Sequence, residues 1–355
     1  MEAIQFLREK YKITPPDPAM YDAVKANWDG VAKPLDGLGR FEQMTSQIGA
    51  VQGSTEVSIS PRAVVVMCAD NGIIEEGVSQ SGKEVTFAVA QSMGRRESSV
   101  CRMAKACNTD VIPVDIGIDD ERTIDGVENE KVACGTRNFI KEPAMTVEET
   151  LAAIETGVRI VKQCKEKGYH ILATGEMGIG NTTTSSAITA ALLHRIATET
   201  TGRGAGLDSE GLSRKQRVIQ RAIDQYGLYN ADAFTVLQTV GGLDIAGLAG
   251  VFIGGAVYHV PILLDGLISA AAALLAKRLI PGTEQFMIAS HMGKEPAAKA
   301  ILTELELKPV IYGDLALGEG TGAVMLFPLF ELAMSVYNGH TDFSRLEMKP
   351  YERLS

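Results

Sequence analysis

The sequence predicts an α/β protein: a mostly parallel, six-stranded, Rossmann-like sheet with helices on both faces, plus a small helical domain drawn from both termini. Three observations carry this reading. Six short β-rich runs recur along the 355 residues, they are mostly apolar throughout rather than alternating, and helical patterns separate them. Strands apolar on both sides are covered on both faces, as in parallel sheets. Regular alternation of strand and helix points the same way.

In chain order, the expected strands are 63–68, 111–115, 171–174, 260–264, 286–289 and 310–312. The expected helices are 83–106, 147–167, 182–198, 213–225, 267–277 and 295–305. Residues 1–57 and 328–355 fall outside this rhythm and read as helical. The division is therefore a large α/β domain over 58–327 and a small helical domain made of 1–57 with 328–355. No internal repeat or low-complexity linker interrupts it.

Bulk properties exclude several classes. A net charge of −10, a pI near 5.2 and the lack of any long run of lysine or arginine disfavour nucleic-acid binding. Five cysteines, an odd number without close pairing, read as reduced core residues of a cytoplasmic protein. The charged stretch 1–12 does not resemble a signal peptide, and the longest apolar stretches are interrupted by glycine, aspartate or proline, so no membrane span is indicated. The histidines lack metal-ligand spacing, and Cys68 has no neighbouring cysteine or histidine, so no metal centre is expected. No Gly-x-Ser-x-Gly elbow appears.

After each strand the chain turns polar or glycine-rich, at Ala69–Gly72, Gly175–Asn181, Asp265-Gly266, Ser290-His291 and Leu317–Gly322. Ligands of open α/β sheets bind beyond the carboxyl ends of strands, so these loops should converge on one crevice. Gly318, Gly320 and Gly322 place three glycines in five positions around Glu319, just before an apolar helix. Such a turn lets backbone N–H groups approach an anion. A carboxylate there suits proton removal from a neighbouring ligand once burial has raised its pKa, or it caps its own helix. Gly175–Gly180, followed by Asn181 and a run of threonines and serines, resembles a phosphate cradle, with an ordinary cap at Thr182 as the plain alternative. It fits neither the P-loop nor the dinucleotide pattern. Glu176 and Glu319 thus form a carboxylate pair, an arrangement suited to chemistry with an oxocarbenium-like transition state. Lys215 could counter a phosphate, although a solvated helix lysine is the commoner fate. Asp265, ending an apolar strand, must be paired or lie at a site. His291 follows a strand and could touch substrate.

Together these motifs resemble the nicotinate mononucleotide:dimethylbenzimidazole phosphoribosyltransferases of cobamide synthesis. The resemblance covers most of the chain. It includes Lys33-Pro34, Leu38–Glu42, Ala69-Asp70 with Gly72, Glu76–Ser79, Val85-Thr86, Gly175–Thr183, Leu264–Gly266, Ser290-His291 with Glu295-Pro296, and Leu317–Ala323. It implies transfer of phosphoribose from nicotinate mononucleotide to an aromatic acceptor, with inversion at C1′ and no metal or redox cofactor. Glu319 matches the family's catalytic base and Glu176 a second acid. Gly178, Lys215, Asp265, Ser290, Gly318, Gly320 and Thr321 correspond to phosphate- and ribose-binding positions, and Ser79, Phe87, Met177 and Leu317 to the acceptor pocket. A dimer is implied as well, either a homodimer or a pair with a paralogue.

The departures concern the acceptor side. Asn71 stands where the family usually has histidine, Gly82 where it has proline, Phe87 where it has glutamine, Ala316 where it has arginine and Gly293 where it has serine. Replacing an amide by a ring at Phe87 suggests a benzimidazole relative or a phenol as acceptor, with dimethylbenzimidazole itself as the alternative. A non-catalytic or partner-dependent paralogue and hydrolysis by water are the rival functions. Retention of Glu176, Lys215 and Glu319 argues against the first.

Overall fold

The computed structural model describes residues 2–339 and 341–353. Six parallel strands form one sheet: β1 (Arg62–Ala69), β2 (Asp110–Gly117), β3 (Glu128–Asn129), β4 (Ile171–Met177), β5 (Ile262–Leu264) and β6 (Met287–Ala289). Their order is β3-β2-β1-β4-β5-β6, all pairs parallel. The order reverses direction between β1 and β4, so the crevice of a doubly wound sheet opens at the carboxyl ends of these two strands.

The apolar runs became strands because both faces are covered: every residue of β1 is buried, and so is β4 as far as Glu176. Even-numbered β1 residues such as Val64 and Val66 join one apolar layer, and Val65 and Met67 join the other. Five of the six expected strands form. The sixth is not Val310–Tyr312, where only Ile311 makes a single parallel bridge, to His291. It is β3, at the opposite edge, a two-residue pairing of Glu128 and Asn129 with Val114 and Asp115 that no apolar run announces.

Helices differ from expectation where local stops intervene. The predicted 83–106 helix is two, Glu84–Gly94 and Ser99–Ala106; Arg96 takes a left-handed φ of 63° and Ser98 caps the second. The predicted 182–198 helix ends at Leu192 and resumes only as the short turn Ala197–Thr200. Helix Leu243–Tyr258 was not expected. All but its last two residues are buried, so it is apolar on every side and shows no amphipathic period. It crosses helix Val147–Glu166 at Gly157 and Gly250, where a Cβ on either glycine would strike the other helix's backbone.

Helices Pro18–Gly30 and Arg40–Gln52 lie beside the C-terminal helix Thr321–Asn338 on one face of the sheet. The Trp28 and Tyr337 rings lie 5.0 Å apart, Asn27 donates to the Tyr337 hydroxyl at 3.1 Å, and Arg353 bridges Asp29 and Asp36 at 2.8 Å each. The C-terminal helix runs unbroken through Pro328, across the 327/328 seam expected from sequence. Among the described residues, no helix is long and apolar enough to cross a membrane.

Candidate active site

A cavity of about 230 Å³ opens at the switch point, walled by the loops that follow β4, β5 and β6 and by the 315–322 turn. Six expected positions besides the two glutamates line it: Met177, Gly178, Asp265, Leu317, Gly318 and Thr321. A smaller space of about 60 Å³ adjoins it, sharing Gly178, Ile179, Asn181, Thr182, Gly204 and Ala205, and there Ser79 and Lys215 lie.

The two glycine loops touch backbone to backbone. A Cβ on Gly175, within β4, would lie 2.5 Å from the Glu319 carbonyl oxygen, and one on Gly318 would lie 2.8 Å from Glu176 Oε1. Glycine is required at Gly175 by this close backbone and at Gly318 by a φ of 87°. Glu319 itself adopts φ 60°, an uncommon conformation for a residue with a side chain. Its carboxylate does not cap its own helix. Glu319 Oε2 accepts from the Val100 backbone N–H at 3.1 Å and so caps the neighbouring helix Ser99–Ala106.

Glu176 is the buried acid of the pair. Loss of solvent, then the nearby charges of Asp244, Asp265 and Glu319, push its pKa up to about 8, against the opposing hydrogen bond from Asn181. Glu176 lies within strand β4, while Glu319 lies in a partly open turn.

Lys215 overturns the base rate for lysines. It is fully buried on helix Ser209–Tyr226, and Nζ donates to Thr182 Oγ1 at 2.7 Å. Burial lowers its pKa to about 8, and the charge of Glu295 partly opposes this. This buried ammonium, with one hydroxyl partner, lies beside the first turn of helix Asn181–Leu192. Thr182 is therefore not a cap; Gly180, at φ 97°, is the residue preceding the helix.

Asp265 is buried, accepts from the Ala323 N–H at 3.0 Å, and lies near His291, whose charge opposes the upward effect of burial on its pKa. His291 lines the cavity, and its Nδ1 is 2.9 Å from Ser290 Oγ.

Three expected positions fall elsewhere. The Ser290 hydroxyl donates to the Leu264 carbonyl at 2.5 Å and faces neither cavity, tying β5 to β6 instead. Gly320 lies behind the wall, where a Cβ would meet Val64 and Thr174. Phe87 lines neither space; its ring packs in the apolar layer under the Arg122 guanidinium, 4.2 Å from the ring centroid. Sequence reasoning missed Asp244, buried at the start of helix Leu243–Tyr258, and left Asn181 and Glu295 without roles. The available signal for Asp244 was a lone charge inside a long apolar, glycine-rich run.

A doubly wound sheet carrying paired carboxylates and a buried lysine around one crevice defines an α/β group-transfer protein for a phosphorylated ligand. Comparison with known proteins narrows the class. Residues 13–346 match the sequence profile DBI_PRT, described as a phosphoribosyltransferase. The nicotinate-nucleotide–dimethylbenzimidazole phosphoribosyltransferase of Acetivibrio thermocellus is 42% identical over 93% of this chain and 94% of its own length. That of Chloroflexus aurantiacus is 38% identical over 94% and 95%. The crystal structure of CobT from Thermus thermophilus superposes with a TM-score of 0.89 at 34% identity, over 94% of this chain and 100% of that one. The chain belongs to the nicotinate-nucleotide–dimethylbenzimidazole phosphoribosyltransferase family.

Proposed function

We propose that the chain moves the 5-phosphoribosyl group of nicotinate mononucleotide onto an aromatic nitrogen base of the benzimidazole class, giving an α-riboside 5′-phosphate for cobamide synthesis. The observation that carries this is the meeting of the Gly175–Gly180 and Gly318–Gly320 loops around one cavity that continues to a buried Lys215.

The phosphate is held by Lys215 and the first turn of helix Asn181–Leu192. An arriving dianion favours the ammonium form and restores charge that burial had weakened. The pyridinium of the donor carries positive charge, and a wall containing the carboxylates of Asp265 and Glu319 suits it. The C1′ bond to the nicotinate nitrogen breaks as the acceptor nitrogen bonds to the opposite face. Glu319 takes the acceptor's N–H proton, and nicotinate leaves with the electron pair of the broken bond. No strong acid is needed, because the leaving nitrogen is already cationic.

Phe87 lies outside the cavity walls, under Arg122, and so supplies no apolar surface there that would favour a phenolic acceptor. With dimethylbenzimidazole and p-cresol offered together, the expected product is the benzimidazole riboside phosphate; a predominant phenolic riboside would overturn this acceptor assignment.

A homodimer is part of this reading. Met325, Leu329, Leu332 and Val336 form an exposed apolar stripe on helix Thr321–Asn338, directly after the Glu319 turn, and Leu317 at the cavity rim is also exposed. Cytoplasmic placement is supported by five unpaired cysteines, four of them buried.

A further inference from the structure

The transfer reaction as derived leaves unused a buried polar network behind Glu176. Asn181, the first residue of its helix, donates its side-chain amide to Glu176 Oε2 and also to Asp244 Oδ2, the latter at 3.0 Å. An amide has two hydrogens, and both are thereby committed. Asp244 Oδ1 accepts its own helix's Ile245 N–H at 2.9 Å, at the positive end of a sixteen-residue helix. The other oxygen of Glu176, Oε1, lies against Gly318 of the second glycine loop, at the cavity wall.

Resting on the phosphoribosyl-transfer reading, we propose that Asn181 and Asp244 are positioning residues for Glu176: Asp244 orients the Asn181 amide, the amide holds Oε2, and Oε1 is presented to the cavity as a hydroxyl that donates to an oxygen of the bound nucleotide.

The placement of the proton follows from the geometry. An amide N–H already points at Oε2, so a proton on the same oxygen would meet it head-on, and the carboxyl proton goes to Oε1. The charges that act on Glu176 are those of Asp244 on its helix, Asp265 after β5 and Glu319 in the opposite turn, and the Cys68 thiol on β1 lies near enough to feel the Glu176 charge. Burial among these groups raises the Glu176 pKa to about 8, so the neutral acid dominates near neutrality. Asp244 accepts both the Asn181 amide and the Ile245 N–H at a helix N-terminus, contacts that favour its ionised form against the upward effect of burial and make it the anionic anchor of the Asn181 amide.

The network is read directly by infrared titration of the full-length chain, with the protonated carboxyl band assigned by its loss in Glu176→Gln. The wild-type band should disappear with a midpoint near 8. Asp244→Asn keeps the shape and removes a neighbouring negative charge, so the midpoint should fall by about one pH unit, tenfold in the ionisation constant. Asn181→Ala removes a donor that favours the charged form, so the midpoint should rise. The alkaline limb of kcat for nicotinate release should move with the band in both variants, an outcome that a purely structural role does not produce. A carboxyl already ionised at neutral pH, or midpoints unmoved by Asp244→Asn, would overturn the proposal. Absence of nicotinate release with every acceptor would instead defeat the transfer reading, while the infrared midpoints still decide the network.

Discussion

The two Gly-Glu loops share a local sequence and a cavity, yet their acids live in opposite surroundings. Glu176 lies within a central strand, pinned by Asn181 and held toward the neutral form first by burial and then by the carboxylates around it. Glu319 stands in a left-handed turn, partly open, its Oε2 held by the N–H of Val100. The difference teaches that a carboxylate's chemistry is set by where its loop meets the sheet. A residue still inside the ladder is desolvated, and one beyond the strand ends keeps access to ligand and solvent. These surroundings support the proposed division of the pair into a base, Glu319, and a neutral donor, Glu176.

The widest test of that division is a pair of amide substitutions. Glu319→Gln should lower kcat by about 10²- to 10⁴-fold, the usual range for a lost general base, while Glu176→Gln should stay within about 10-fold because the amide still presents a donor. Equal losses in steady-state assays would erase the distinction. Away from both acids, Lys215→Met should raise KM for nicotinate mononucleotide by about 10- to 100-fold, consistent with a charge-assisted hydrogen bond of roughly 1.5–3 kcal/mol, with a smaller change in kcat. A kcat defect without a KM change would move Lys215 out of phosphate binding.

Stability separates the two loops as well. Because the folded pKa of Glu176 is raised from 4.5 to about 8, the native state binds its proton more tightly than the unfolded chain does. Its contribution is fully present below the unfolded value and is lost as pH rises through about 8. Glu176→Gln should therefore lose less stability than wild type on going from about pH 5 to about pH 9, by a few kcal/mol in order of magnitude. Denaturant melts at the two pH values measure it, and parallel losses would contradict the buried neutral acid. The smallest expected effect on chemistry comes from the apolar stripe: Leu332→Glu should weaken self-association in sedimentation, and an unchanged mass would exclude that face from the dimer.

Much of this architecture was legible in the sequence. β1, β2 and β4 announce themselves as apolar runs because both faces of a parallel strand are buried, and motifs stand at the carboxyl ends of β1 and β4. Helix Leu243–Tyr258 was hidden for the same reason, since total burial removes the polar face that makes a helix periodic. At the site, the paired glutamates, Asp265 and Lys215 could be named from spacing and resemblance. Their environments could not. Whether Glu319 caps its own helix or a neighbour's depends on where Ser99–Ala106 packs, and the isolation of Phe87 depends on Arg122 covering its ring. The link from Asp244 through Asn181 to Glu176 joins residues 63 and 5 positions apart, a contact only the folded sheet creates.

The most direct measurement is the initial rate of nicotinate release from nicotinate mononucleotide by the purified chain, with and without dimethylbenzimidazole. The account predicts release that requires the acceptor and is matched mole for mole by its α-riboside phosphate. Release at the same rate without acceptor, with ribose 5-phosphate as the product, would contradict it.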